Sequence, residues 1–167
     1  FWRQPFRWRA QPDFIEAEAQ GKRGVVFIHG FVCNRGFWNP WMRDFRAAGI
    51  PFAAVNLEPV FGSIDAYVPI IEEAVERVRA ATGLPPVLVC HSMGGLAARA
   101  WLRKANGACR VRHVVTIGTP HRGTWLGRFS HTGNGAQMRL DGPWVQGLAA
   151  GTDSAPFTCW YSNCDNI

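Results

Sequence analysis

Three short, nearly unbroken apolar runs constrain the fold of this chain more than any other feature: Val25-Val26-Phe27-Ile28, Val87-Leu88-Val89-Cys90 and Val114-Val115-Thr116-Ile117. A strand with one face in water alternates between apolar and polar residues. A strand covered on both faces reads as a continuous β-branched run. These runs therefore predict parallel strands buried between layers of helix. Pro51–Leu57 is a fourth candidate, weaker because Ala53 and Ala54 carry little strand preference, and Phe157–Tyr161 is a fifth.

Helical patterns fill the intervals. Asn39-Pro40 offers a capping side chain followed by proline at the first helical position, and Gly49 offers a stop. The next helix carries Val68, Ile71, Val75 and Val78 on one face, with Glu73 and Arg77 one turn apart on another. Pro69 leaves the start of that helix open. A third helix is predicted over 93–104, with Arg103 and Lys104 near its negative end and Asn106-Gly107 closing it. Strand–helix–strand repetition with short connections predicts an α/β class, mostly a parallel sheet with helices on both faces. Residues 119–155 break the rhythm, with one weak helix near Trp144–Ala149, and are read as a lid or insert. The domain reading is thus an aromatic and basic arm over 1–23 and a core over 24–167.

Composition narrows the function. With 167 residues, 47% apolar and only 18% charged, the chain is predicted to be one globular domain. Its net charge of +6 comes from scattered basic residues, without a Lys/Arg cluster on a nucleic-acid module, so no nucleic-acid partner is expected. No apolar run reaches the roughly 18–20 residues of a membrane span. The opening Phe1-Trp2-Arg3-Gln4-Pro5-Phe6-Arg7-Trp8-Arg9 mixes rings and arginines. That mixture suits a membrane surface through residues 1–9, and equally an arm packed on the domain. The five cysteines lack zinc-type pairing. Cys90 reads as a buried hydrophobe, and Cys159 and Cys164 are close enough in sequence to meet across a turn. Free thiols in a reducing compartment are expected. No metal or cofactor motif is present.

The chemistry concentrates at Cys90-His91-Ser92-Met93-Gly94-Gly95, directly after an apolar run and before a helix. A serine hydroxyl becomes a nucleophile when a base takes its proton. A sharp strand-to-helix turn holds it clear of the backbone, and small neighbours such as Gly94 let the turn close. Ser92 is therefore the candidate nucleophile; the plainer alternative is a serine capping a structural helix. His29-Gly30-Phe31 ends the first run. Acyl transfer puts negative charge on a carbonyl oxygen, which backbone N–H groups must meet. Phe31 and Met93 are the candidate donors of such an oxyanion hole, with His29, Gly30, His91 and Gly94 in support.

These two segments, with Ile117-Gly118-Thr119-Pro120-His121-Arg122-Gly123-Thr124, resemble the α/β-hydrolase superfamily, in particular its bacterial triacylglycerol lipase and esterase branch. The likeness runs from about Gly24 to Ile167. It implies a serine hydrolase cleaving carboxylic esters through an acyl-enzyme on Ser92, with a small-molecule or lipid ester as substrate. It implies Asp165 as the acid that orients a histidine, with Asp153 as competitor. His121 would be scaffold. In the family's serine, acid, histidine order, the base would follow Asp165. The core is then expected to lack its last strand and helix, and residues 1–167 alone to be catalytically feeble. Location in a bacterial cytoplasm, or at its membrane, is the matching expectation. Cys90 departs from the usual glycine two residues before the serine. An acyltransferase or amidase, a scaffold without catalysis, and a membrane-bound binding module are the rival readings. Trp38, Trp41, Trp125, Phe129 and Trp144 are candidates for an apolar acyl pocket and lid, or for core.

Overall fold

The computed structural model describes residues 11–15, 19–149 and 155–162. All five apolar runs become strands of one sheet: β1 (Val25–Ile28), β2 (Phe52–Ala54), β3 (Val87–His91), β4 (His113–Ile117) and β5 (Phe157–Trp160). Every pairing is parallel, in the order β2-β1-β3-β4-β5. The helices between them are α1 (Asn39–Ala47), α2 (Val68–Thr82) and α3 (Met93–Lys104).

Side chains alternate along each strand, and in β1, β2 and β3 both faces are apolar and buried, whereas β5 is exposed over Thr158–Trp160. Val26, Ile28, Leu88, Cys90 and Val114 pack with Ile71, Val75 and Val78 of α2 and Leu96 and Trp101 of α3. Val25, Phe27, Phe52 and Val89 face the other way, toward Trp38 and Met42 of α1. This two-sided burial is why the runs do not alternate. Each fully buried large apolar side chain, such as Leu88, adds about 1.5–3 kcal/mol.

Two local expectations are corrected. Asn39 does not cap α1: a 3-10 turn over Arg35–Trp38 runs straight into the helix, Asn34 caps that turn through Gly36 N, and Asn39 instead accepts from Gln11 N. Arg77 does not bond to Glu73 but to Asp13 Oδ2 at 2.8 Å. Asp13 Oδ1 also accepts from Ala54 N and Arg35, while Phe14 bridges Phe52 in antiparallel fashion. Long-range partners outcompete a surface pair on one helix, whose strength is only about 0.3–0.5 kcal/mol. Pro69 sits in the first turn of α2, where its missing N–H costs nothing.

The sheet places the site. From β1 the chain steps outward to β2 and then returns to the other side of β1 for β3. The order reverses between β1 and β3, and in open α/β sheets ligands bind at such a reversal, outside the carboxyl ends of the strands. His29-Gly30 leaves β1 there, and Ser92 leaves β3 beside it.

Candidate functional site

Ser92 is the single residue between β3 and α3, with φ +51° and ψ −124°. A side chain at positive φ is costly, about 1–3 kcal/mol, and persists only where surroundings enforce it. Three contacts do so here. Ser92 N extends the ladder to Ile117 O at 2.9 Å, and Ser92 O accepts from Gly95 N at 3.1 Å and from Thr119 Oγ1 at 2.9 Å. The turn is tight because α3 rests on the end of β1. A Cβ on Gly94 would lie 2.6 Å from Ile28 O and 2.7 Å from His29 O. Gly30 closes the other side, since a Cβ there would fall 2.9 Å from Ser92 Cβ. Ser92 is half-buried, at the positive end of a twelve-residue helix.

His29 is 2% exposed and locks the turn after β1. Leu57 N donates to its Nε2 at 3.0 Å, so Nδ1 carries the proton and donates to Gly30 O at 2.8 Å. Burial drives the imidazole toward its neutral form and lowers its pKa to about 4; the Gly30 bond opposes this and the neighbouring His91 adds to it. Gly30 O also accepts from Cys33 N at 3.3 Å. Phe31 follows, its ring edge-on to Phe61 at 5.9 Å. The His91 ring stacks on Phe37 at 4.4 Å.

The remaining histidines are engaged elsewhere or exposed. His113 Nε2 meets Thr158 Oγ1 at 2.8 Å. His121 Nε2 lies 3.0 Å from Thr116 Oγ1 and 3.5 Å from Cys159 Sγ, with its pKa lowered by burial and by the Arg99 charge. His131 is exposed. Asp165, Asp153, Cys164 and the arm Phe1–Arg9 fall outside the described residues. Cys33, Cys90, Cys109 and Cys159 are free thiols, and Cys90 is wholly buried. Among the described residues no group of His, Cys, Asp or Glu is arranged to hold a metal, and no helix is long and apolar enough to cross a membrane.

The aromatic candidates divide. Trp38 is core, stacked on Phe27 at 5.1 Å. Trp144 donates from Nε1 to Asp65 Oδ2. Trp41 edges Phe27 and is partly exposed. Trp125 and Phe129 lie on a 3-10 turn over Trp125–Phe129 and stand more than half exposed, as does Leu126 between them. Behind that turn, α4 (Gly133–Gln137) and α5 (Pro143–Ala149) are bound to the core. Asn134 donates to Val60 O and to Tyr67 Oη, and Gln137 and Trp144 converge on Asp65, which also pairs with Lys104. Sequence reasoning missed Thr119 and Asp65. Thr119 belongs to the motif Ile117–Thr124, but nothing in the sequence distinguishes its hydroxyl from that of a neighbour.

Comparison with known proteins adds the family context. Residues 25–161 match the model of the Alpha/beta hydrolase family. Lipase B of Aspergillus fumigatus superposes with a TM-score of 0.75 at 20% identity, over 88% of this chain and 39% of that one. The mature form of a Bacillus licheniformis lipase gives 0.73 at 18%, over 83% of this chain and 65% of that one. A metagenomic carboxyl esterase gives 0.69 at 17%, over 93% and 52%. No curated protein matches the sequence. The chain thus spans less than two thirds of the length of each of these three solved structures.

Proposed function

Because this chain belongs to the α/β-hydrolase family, we propose that it carries the nucleophile side of a serine hydrolase acting on carboxylic esters, with Ser92 as nucleophile. The observation that carries this reading is Ser92 itself, a hydroxyl held at φ +51° between a buried strand and the start of a helix. Strain of this kind gathers where function needs a side chain presented.

In this reading Ser92 Oγ attacks the ester carbonyl carbon while a histidine takes its proton. The same histidine returns a proton to the departing alkoxide, and water later hydrolyses the acyl-enzyme. Asp165 orients that histidine, which in the serine, acid, histidine order follows it in the chain. The Phe31 and Met93 N–H groups meet the oxyanion. The geometry around each supports the assignment. A peptide unit is planar and trans, so its C=O and N–H point opposite ways. His29 draws Gly30 O inward at 2.8 Å, and the Phe31 N–H of the same peptide is turned outward. Loss of one such donor costs about 3–4 kcal/mol of barrier in well-characterised sites. The exposed Trp125, Leu126 and Phe129 suit an acyl chain or lipid ester.

Ser92→Ala in the complete protein tests the reading. Ester turnover is expected to fall by about 10⁴-fold or more with the melting temperature retained. Turnover that survives the substitution would overturn it.

A further inference from the structure

The Met93 N–H is held in place from behind, and the residue holding it lies on another strand's exit loop. Ser92 O and Met93 N–H belong to one planar trans peptide, so whatever fixes the direction of the carbonyl fixes the N–H in the opposite direction. In a regular helix the first carbonyl accepts from the N–H four residues on. Ser92 O, at the start of α3, accepts from Gly95 N, three residues on, at 3.1 Å and from the side chain of Thr119 at 2.9 Å.

Thr119 is 3% exposed and cannot easily turn away. A Cβ on Gly95 would fall 2.3 Å from its Oγ1, so the hydroxyl lies directly against α3. Its segment is pinned on both sides: Gly118 N donates to Trp160 O at 2.8 Å, and Arg99 of α3 donates to His121 O at 2.8 Å. The hydroxyl has one proton, and that proton goes to Ser92 O. Thr119 is thus to Met93 what His29 is to Phe31.

We infer that Thr119 is a positioning residue for the proposed oxyanion site, aiming the Met93 N–H by holding the Ser92 carbonyl. This rests on the reading of Ser92 as nucleophile. The charge it serves develops only in the transition state, so its loss should act on kcat rather than on KM.

The test compares Thr119→Val, which keeps the shape and deletes the hydroxyl, with Thr119→Ser, which keeps the hydroxyl, in the complete protein. Thr119→Val is expected to lower kcat by roughly 10- to 50-fold, below the 10²–10³ for deleting a donor outright. KM should stay within about twofold. Affinity for phenylboronic acid, which forms a tetrahedral anion on a nucleophilic serine, should fall by a factor similar to that in kcat. Thr119→Ser should recover most of both. The inference is overturned if Thr119→Val keeps wild-type kcat, if boronate affinity is unchanged while kcat falls, or if Thr119→Ser is as impaired as Thr119→Val. Should Thr119→Val not fold, Thr119→Cys, similar in size and only a weak donor, takes its place with the same expectations. Ser92→Ala separates the two levels. If it stays active, the nucleophile reading falls. If it is dead while Thr119→Val is fully active, only the role of Thr119 falls.

Discussion

His29 sits inside the molecule as a neutral imidazole, its two nitrogens committed to Leu57 N and Gly30 O. Its pKa of about 4 lies below the ordinary 6.5, so as pH falls the unfolded chain takes up a proton before the folded one does. The stability this group contributes is complete above about pH 6.5 and is lost as pH falls from there to about 4. Its size is about 3 kcal/mol, since each tenfold weakening of proton binding is worth about 1.4 kcal/mol. Urea midpoints at pH 7.5 and 4.5 check this. Wild type should lose about that much more stability than His29→Asn over the interval, and equal losses would count against it. Ser92 offers a second test at this scale. Glycine accepts positive φ freely, so Ser92→Gly should unfold at higher urea than Ser92→Ala, by about 1 kcal/mol in stability. A variant no more stable than Ser92→Ala would mean that the turn is not strained.

The elements around the site divide into a held part and a presented part. Asp65 accepts from Gln137 and Trp144 and pairs with Lys104, so one carboxylate ties α4 and α5 to α3. Burial resists its ionisation, but these donors outweigh burial and hold its pKa below the usual carboxylate value. Asp65→Ala should speed amide hydrogen exchange across 133–149, by an amount equal to about 1–3 kcal/mol, while exchange in β1 and β3 is unchanged. Protection that persists in α4 and α5 would show that apolar packing alone holds them. Such ties explain what the sequence left hidden. β1, β2 and β3 were legible because burial on two faces writes a continuous apolar run, and α2 because one buried face writes a periodic one. The partners of Asn39, Arg77, Asp65 and Thr119 were not, because a polar bond across the fold leaves no periodic trace. Ser92 and Gly30 were legible as motif residues, but the hydroxyl of Thr119 behind Ser92 became visible only in three dimensions.

At the scale of the molecule, one feature of the sheet brings the site together. The order β2-β1-β3 splits the chain's direction of winding, and the exits of β1 and β3 face each other across that split. The turn of His29-Gly30-Phe31 and the turn at Ser92 are therefore neighbours, although some sixty residues separate them in sequence. The exposed rings of Trp125 and Phe129 lie on the 3-10 turn that follows β4 in the chain, and β5 closes that side of the sheet. The most direct measurement is a crystal structure of the complete protein after reaction with a fluorophosphonate. The phosphorus is expected on Ser92 Oγ, with one phosphonyl oxygen within about 3 Å of both Phe31 N and Met93 N. A label on any other residue, or a phosphonyl oxygen turned away from both amides, would contradict the proposed site.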